Sequence, residues 1–477
     1  MDVAKRKQME VFFNPGSVAV IGASERPRAW GWIIMQGLLH WKYGGRICPV
    51  NKRGGSIFGI KAYPSILDVP GKVDLALLTV PAGIIREAVE ACGEKGVKGV
   101  VIIAAGFSEA IEGGRATEME LTELARKRGM RLLGPNVSGS FNLNKSFNAS
   151  AAPAAFLLPA PISAVCQGSY FLYDLLVGAH FRNMGLGQFI QTGNECDLEV
   201  TDFLKYFGDD PETKVILMYL ETLRNVDRFI RVAGQVAGRK PVIVQKVGRT
   251  PGGSRAAQSH TGAMAGRDDL YRALFRKLNM VESPAVERLI PLGHAFLKLP
   301  DVAGKRIAIV TMGGSWGVAL TDQLEDRGLV VPELSPSLQA LLRELGLPIR
   351  SSTRNPIDIG AGGSIAFEAE KVAQIVRKVA ASGEVDALVL HGFGRLAEAQ
   401  GLDSESRPMI MEQEKGVIRA CVREAEHTDK PILIGMAVHA SESQVVRDLT
   451  DEGLLIFHSL GEIADVLSLK YRHYRQR

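Results

Sequence analysis

The chain is poor in cysteine and in aromatic residues. It has five cysteines among 477 residues and only 6% Phe, Trp and Tyr. Cys48, Cys92, Cys166, Cys196 and Cys421 are scattered, odd in number and form no C-x-x-C pair. Neither a disulfide framework nor a zinc site is expected from them, and no metal ligand set is proposed. Charge of one sign is also scarce. The net charge is +5, with no block of like charges, so nothing points to nucleic acid. Long apolar runs are missing too. The opening MDVAKRKQMEVFF has no apolar signal region, and no later stretch is long enough to span a bilayer. A soluble, cytoplasmic protein with no membrane partner is the expectation.

What is present is aliphatic and rich in glycine. Hydrophobic residues make up 46% of the chain, and there are 51 glycines. That balance suits parallel sheets, buried on both faces and joined by tight turns. The length exceeds one core, so two to four domains are expected. Strand and helix signals alternate nearly throughout, which predicts α/β architecture with right-handed crossovers. Strand signals fall at 17–21, 46–50, 73–80, 100–104 and 131–133, then at 162–165, 187–191, 214–220 and 241–246. A third set lies at 305–310, 385–391, 431–435 and 454–457. The Ala/Pro/Ser/Leu segment 149–161 reads as a linker and 297–301 as a hinge. The predicted domains are therefore 1–150, 151–298 and 299–477.

The first strand ends in Gly22-Ala23-Ser24. Such a turn offers backbone N–H groups to a phosphate, or simply lets strand and helix pack closely; the residues leave both open. A dinucleotide site needs G-x-G-x-x-G and an acidic residue after the second strand. Here Gly22 is followed by Ala23, Ser24 and Glu25, and Asn51, Lys52 and Arg53 follow the second strand. An NAD-dependent dehydrogenase is therefore disfavoured, and a ligand with extra phosphate suits the basic residues better.

QSHTGAMAG, residues 258–266, sets one histidine among small residues in what reads as the start of a helix. The glycine-rich run 248–253 precedes it and reads as a hinge. An exposed neutral imidazole is a nucleophile suited to phosphorus. Arg249 and Arg255 supply the charge that phosphoryl transfer needs. Taken alone, His260 reads more readily as a surface histidine at a helix cap than as a nucleophile.

In combination, several stretches carry a resemblance: FFNPGSVAVIGAS, PVNKRGGSIFGIKAYPSILDVP, VIIAAGFSE, LLGPNVSGSFN, GNECDLEVTDFLKYFGDDPETKVILMYLE, KPVIVQKVGRTPGGSRAAQSHTGAMAG, RIAIVTMGGSWGV and NPIDIG. The chain resembles the α subunit of NDP-forming acyl-CoA synthetases, the ADP-forming acetyl-CoA synthetase group of the succinyl-CoA synthetase superfamily. The resemblance implies a Rossmann-like CoA-binding domain followed by two flavodoxin-like ligase domains. It implies acid–thiol ligase activity: acyl-CoA + ADP + phosphate ⇌ carboxylic acid + CoA + ATP, through acyl phosphate and phosphohistidine. By that resemblance His260 carries the phosphoryl group and Glu221 orients the imidazole. CoA is expected along Gly22, Ser24, Arg53, Val80, Pro81, Ala105 and Gly106, with its thioester near Asn136. Phosphate cradles are expected at Gln167-Gly168-Ser169 and Gly313-Gly314-Ser315, with packing glycines as the alternative at the latter. The resemblance also implies a separate ATP-grasp β subunit holding Mg2+ with ADP or ATP, in an αβ or α2β2 complex.

The pattern departs from the family at Cys166-Gln167-Gly168-Ser169, at Val137, at Met312 to Gly317 and at Arg53. Trp316, Tyr170, Phe171 and Tyr173 are large, which suggests an acid bulkier than acetate. A thiol at 166 is a poorer donor than a hydroxyl. These departures sustain a second reading, a non-catalytic CoA or acyl-CoA binding or regulatory protein on the same fold.

Overall fold

The computed structural model describes residues 3–168, 170–261, 267–360, 364–398 and 402–477. The chain divides into two compact units, Met1–His180 with Gly185–Gly293 and Phe181–Met184 with His294–Arg477. No helix among the described residues is long and apolar enough to cross a membrane.

The first unit holds two sheets. In the first sheet the strands are β1 (Ser17–Ile21), β2 (Arg46–Val50), β5 (Leu75–Leu78), β6 (Gly99–Ile102) and β7 (Arg131–Leu133), with β3 (Gly55–Ile57) and β4 (Ile60–Ala62) forming a separate hairpin. The spatial order is β2-β1-β5-β6-β7 and all pairs are parallel. Runs such as LALL and GVVI have no alternation because helices cover both faces. Every residue of those two strands is buried.

The second sheet begins with the hairpin β8 (Gly139–Asn142) and β9 (Phe147–Ser150). It continues with β10 (Ile162–Cys166), β11 (Gln188–Gln191), β12 (Val215–Leu220), β13 (Val242–Lys246) and β14 (Val281–Glu282). Its order is β14-β13-β12-β10-β11-β8-β9. The five central strands run parallel, and β8 joins β11 antiparallel. The sequence-based division at residue 150 thus falls after a hairpin that hydrogen-bonds into the second sheet.

The second unit carries β15 (Ile307–Thr311), β16 (Ile357–Asp358), β17 (Ala387–His391), β18 (Ile432–Gly435) and β19 (Ile456–Phe457) in the order β16-β15-β17-β18-β19, all parallel. Each of the three sheets reverses its strand order once, beside its first parallel strand. Those switch points lie between β1 and β5, between β10 and β12, and between β15 and β17. In open parallel sheets, crevices for ligands form at the carboxyl ends of such strands.

Candidate functional site

At the first switch point Gly22 has φ +94, and a Cβ there would meet Thr79 Oγ1 at 2.7 Å. Only glycine fits. Its N–H donates to the Val50 carbonyl at 2.9 Å, and the following helix, Trp30–His40, presses Gly31 against the Gly22 carbonyl. Close packing accounts for Gly22. Beside it opens a cleft of ≈ 360 Å³ lined by Gly22, Asn51, Lys52, Ser65, Val80 and Glu87, among others. The structure therefore brings Gly22 and Val80 together at one cleft and adds Lys52. Ser24, Arg53, Pro81, Ala105, Gly106 and Asn136 stand outside its lining. Ser24 Oγ accepts from the Arg26 N–H at 3.0 Å, and Asn51 Oδ1 accepts from the Arg53 N–H at 3.0 Å. Gly106 donates to Glu109 Oε1 at 2.5 Å.

Asn136 lies on the seam between the two sheets of this unit. Its Nδ2 donates to Asn194 Oδ1 at 3.4 Å, and the Asn194 N–H donates to the Pro135 carbonyl at 3.0 Å. Asn194 Nδ2 in turn reaches Glu118 Oε1 at 2.8 Å and Glu109 Oε2 at 2.5 Å. Asp197, whose side chain is buried, bridges Arg131 and Arg126 at 2.7 Å each. Burial alone raises its carboxyl, but the arginine hydrogen bonds outweigh that and hold it below its ordinary value. Glu195 receives the Val200 N–H at 2.9 Å and the Thr192 hydroxyl at 2.9 Å, yet burial pushes it up to about 7. The GNECD loop is thus the joint between the two sheets. Its cluster of polar residues ahead of a helix was the signal available in the sequence.

The second switch point is the most polar. β10 ends at Cys166, whose buried thiol is pushed up to about 12 and so stays protonated. The next residue, Gln167, uses its side chain as a clamp. Oε1 accepts from the Glu221 N–H at 2.6 Å and the Thr222 N–H at 2.9 Å, while Nε2 donates to the Thr222 carbonyl at 2.9 Å. Gly168 is buried, and Ser169 lies outside the described residues. Glu221, directly after β12, is 4% exposed. Lys246 ends the neighbouring β13, in register with Leu220.

From β13 a short loop leads into the helix Pro251–Thr261. Thr250 Oγ1 accepts from the Gly253 N–H at 3.1 Å, and proline opens the first turn. Two expectations change here. His260 belongs to the last turn of this helix, not to its start, and Gly252 and Gly253 are helical instead of forming a hinge. The cap and the proline outweigh two glycines that cost about 1 kcal/mol each in a helix. The side chain of His260 and residues 262–266 lie outside what is described. Arg249 faces Glu282 at 3.9 Å.

At the third switch point Gly313 caps the helix Gly314–Glu325, and its N–H donates to Thr311 Oγ1 at 3.3 Å. A Cβ on Gly314 would stand 2.9 Å from Asp358 Oδ2, and one on Gly317 2.8 Å from Pro356. Ser315 is exposed in the first turn. Trp316, 37% exposed, lies with its ring 5.3 Å from that of His391. His391 is 2% exposed. Burial and the Arg395 charge push its pKa down to about 4, so the ring is neutral at pH 7.

Residues 16–140 match the model of the CoA binding domain, and residues 159–296 that of the succinyl-CoA ligase like flavodoxin domain. The chain is 38% identical over 355 residues to the acetate–CoA ligase [ADP-forming] I subunit alpha of Pyrococcus furiosus, covering 74% of this chain and 76% of that one. It is 36% identical over 352 residues to the acetate–CoA ligase [ADP-forming] of Methanocaldococcus jannaschii, covering 74% of this chain and 49% of that longer protein. Among solved structures, the dinucleotide forming acetyl-coenzyme A synthetase 1 of Ca. Korarchaeum cryptofilum, in complex with phosphate and ADP, superposes with a TM-score of 0.84. That pair is 30% identical, with 98% of this chain and 97% of that one covered.

Proposed function

This chain belongs to the family of ADP-forming acyl-CoA ligase α subunits, and from that premise we propose that it performs the acyl phosphate and phosphohistidine half-reactions through His260. It is an acid–CoA ligase subunit that uses CoA and a nucleotide and works with a β partner. The observation that carries the residue assignment is the buried carboxylate of Glu221 at the second switch point. The strand beside it, β13, feeds the helix that bears His260.

The chemistry proceeds in three transfers. An oxygen of inorganic phosphate attacks the thioester carbonyl, the C–S bond breaks, and CoA leaves as its thiol after taking a proton. One imidazole nitrogen of His260 attacks phosphorus, the bond to the acyl oxygen breaks, and the carboxylate leaves. Phosphohistidine then passes the phosphoryl group to ADP. Glu221 holds the N–H of the ring nitrogen that does not attack and balances the imidazolium character that develops. The cleft at Gly22, Lys52 and Val80 takes the nucleotide end of CoA. Ser24, Arg53, Pro81, Ala105 and Gly106 follow along its path, and Asn136 stands at the thioester end, on the seam of the two sheets. Gln167 and Gly168, with Ser169 next in sequence, are assigned as the phosphate cradle at the second switch point, and Gly313, Gly314 and Ser315 as a second cradle.

We assign the nucleotide to an ATP-grasp β subunit in an αβ or α2β2 complex in the cytoplasm. Mg2+ with ADP would be held by that subunit, where it would supply charge screening between the reacting phosphates. We take the acyl group to be bulkier than acetate from the size of Tyr170, Phe171, Tyr173 and Trp316 alone.

The test is peptide mass spectrometry of the full chain incubated with phosphate and a panel of acyl-CoA esters. An acid-labile phosphate on the peptide 258–266 is expected, absent from His260→Ala, and the ester that labels best names the acyl class. CoA binding with no label from any ester, and none after adding the β subunit and ATP, would overturn the catalytic reading in favour of a CoA-binding protein.

A further inference from the structure

Glu221 and the His260 helix leave the second sheet from adjacent strands, and one side chain sits between the two exits. Lys246 closes β13 and is 1% exposed. A lysine shut away from water is costly unless something answers its charge. Its Nζ lies 4.7 Å from the centroid of the Tyr271 ring, within cation–π range. It also donates to the Val247 carbonyl. Tyr271 belongs to the helix Asp268–Lys277. Its hydroxyl accepts from the Leu223 N–H at 3.2 Å and is hydrogen-bonded to the Thr222 side chain.

One tyrosine therefore has the ammonium on its ring and the turn after Glu221 on its hydroxyl. Gln167, from β10, holds the same turn through its amide. The backbone adds a further tie, because the Val247 N–H donates to the Leu220 carbonyl at 3.0 Å. The exit carrying Glu221 and the exit toward His260 are thereby fastened to each other by Lys246 and Tyr271.

The charged groups that face Lys246 come from three elements. Glu221 stands at the end of β12, Asp268 lies on the helix of Tyr271, and Arg249 is in the loop after β13. Burial disfavours the ammonium most, the two carboxylates favour it, and Arg249 opposes it. The balance brings its pKa down to about 8.

We propose that Lys246, seated on Tyr271, is a positioning residue for phosphoryl transfer: its ammonium balances the Glu221 carboxylate, and its attachment fixes where the segment leading to the His260 helix begins. This rests on the phosphohistidine reading above. Lys246 makes no bond to substrate. Exchanging a buried cation for an apolar chain of similar volume is commonly neutral or stabilising, so a lysine that merely filled space would accept methionine with neither melting temperature nor labelling rate reduced.

The experiment measures the initial rate of acid-labile labelling of the His260 peptide by radioactive inorganic phosphate, with the best acyl-CoA ester, from pH 6 to 9.5. Melting temperature is read in parallel. The unaltered chain is expected to lose rate as pH rises through about 8, where the ammonium gives up its proton. Lys246→Met keeps its melting temperature and labels about tenfold more slowly at neutral pH, a loss on the scale of one positioning group. Lys246→Arg keeps most of the rate and carries it beyond pH 9, because guanidinium stays charged.

Unaltered rates and an unaltered pH profile in Lys246→Met would overturn the inference while leaving the phosphohistidine reading in place. A Lys246→Arg profile that still falls near pH 8 would assign that limb to another group and remove the role of charge. Should Lys246→Met not fold, the arginine profile decides alone. Equal labelling of His260→Ala and the unaltered chain would bring down the phosphohistidine reading, and this inference with it.

Discussion

The second and third switch points are built from the same parts and put them to different use. Each has a parallel strand, a glycine-containing turn, a helix, and a neighbouring strand ending beside the turn. At the second, the turn presents Gln167, the adjacent β12 leads into Glu221, and β13 beyond it ends in Lys246, all buried. At the third, Met312 and Trp316 take the turn, and the two adjacent strands end in a neutral, buried His391 and in Asp358, which is only partly buried. Phosphoryl transfer needs fixed charges and dipoles held in place before reaction. Among the described residues, the second switch point sets two buried charged residues, Glu221 and Lys246, at the ends of successive strands on one side of β10. The lesson is that the fold supplies a crevice at every switch point, and the residues at the strand ends decide whether it is electrostatically active.

The comparison is broken most severely by Glu221→Gln. The labelling rate of His260 is expected to fall roughly 10²-fold with CoA binding unchanged, the scale of a lost general acid–base partner. A rate unchanged by this substitution would remove the assigned role of the second switch point.

Gln167→Leu comes next. It leaves the buried N–H groups of Glu221 and Thr222 without their shared acceptor, which is expected to cost about 2 kcal/mol of unfolding free energy. Denaturant melts of the second sheet check this. A null result would mean that the turn is held by Tyr271 alone.

The smallest effect sharpens the third switch point. His391 has a folded pKa depressed to about 4 against 6.5 when free, so the unfolded chain binds the extra proton between those values. Stability is full above pH 6.5 and is lost as pH falls toward 4. His458, depressed to about 4 by burial and the charges of Arg182 and His439, acts in the same direction. His391→Phe should flatten that acid limb by about 1 kcal/mol without abolishing it. Melts at pH 7 and pH 5 measure the difference.

Much of the architecture was legible in the chain because central parallel strands are nearly pure aliphatic runs. Strands β1 and β2 fall where the sequence places them, and the signal at 73–80 shortens to Leu75–Leu78. The hairpin β8–β9 was not legible. Its sequences, GSFN and FNAS, carry no aliphatic signal and become strands only by pairing with each other and, through β8, with β11. The helix of His260 was misplaced because its glycines were read before its Thr-Pro start.

The candidate site divides along the same line. Motifs local in sequence pointed to His260 and the glycine turns, because a nucleophile among small residues is a pattern of neighbours, whereas Glu221 came from the family resemblance alone. The clamp of Gln167 on the Glu221 turn and the seat of Lys246 on Tyr271 were not announced. A glutamine or lysine at a strand end is ordinary until the sheet order is known. The sequence by itself determined the aliphatic strands, the three repeated openings and the family. Only the tertiary structure decided which polar side chains are buried and what they touch. Burial and hydrogen-bond partnership depend on residues brought together from separate strands and helices, and no local stretch contains that information.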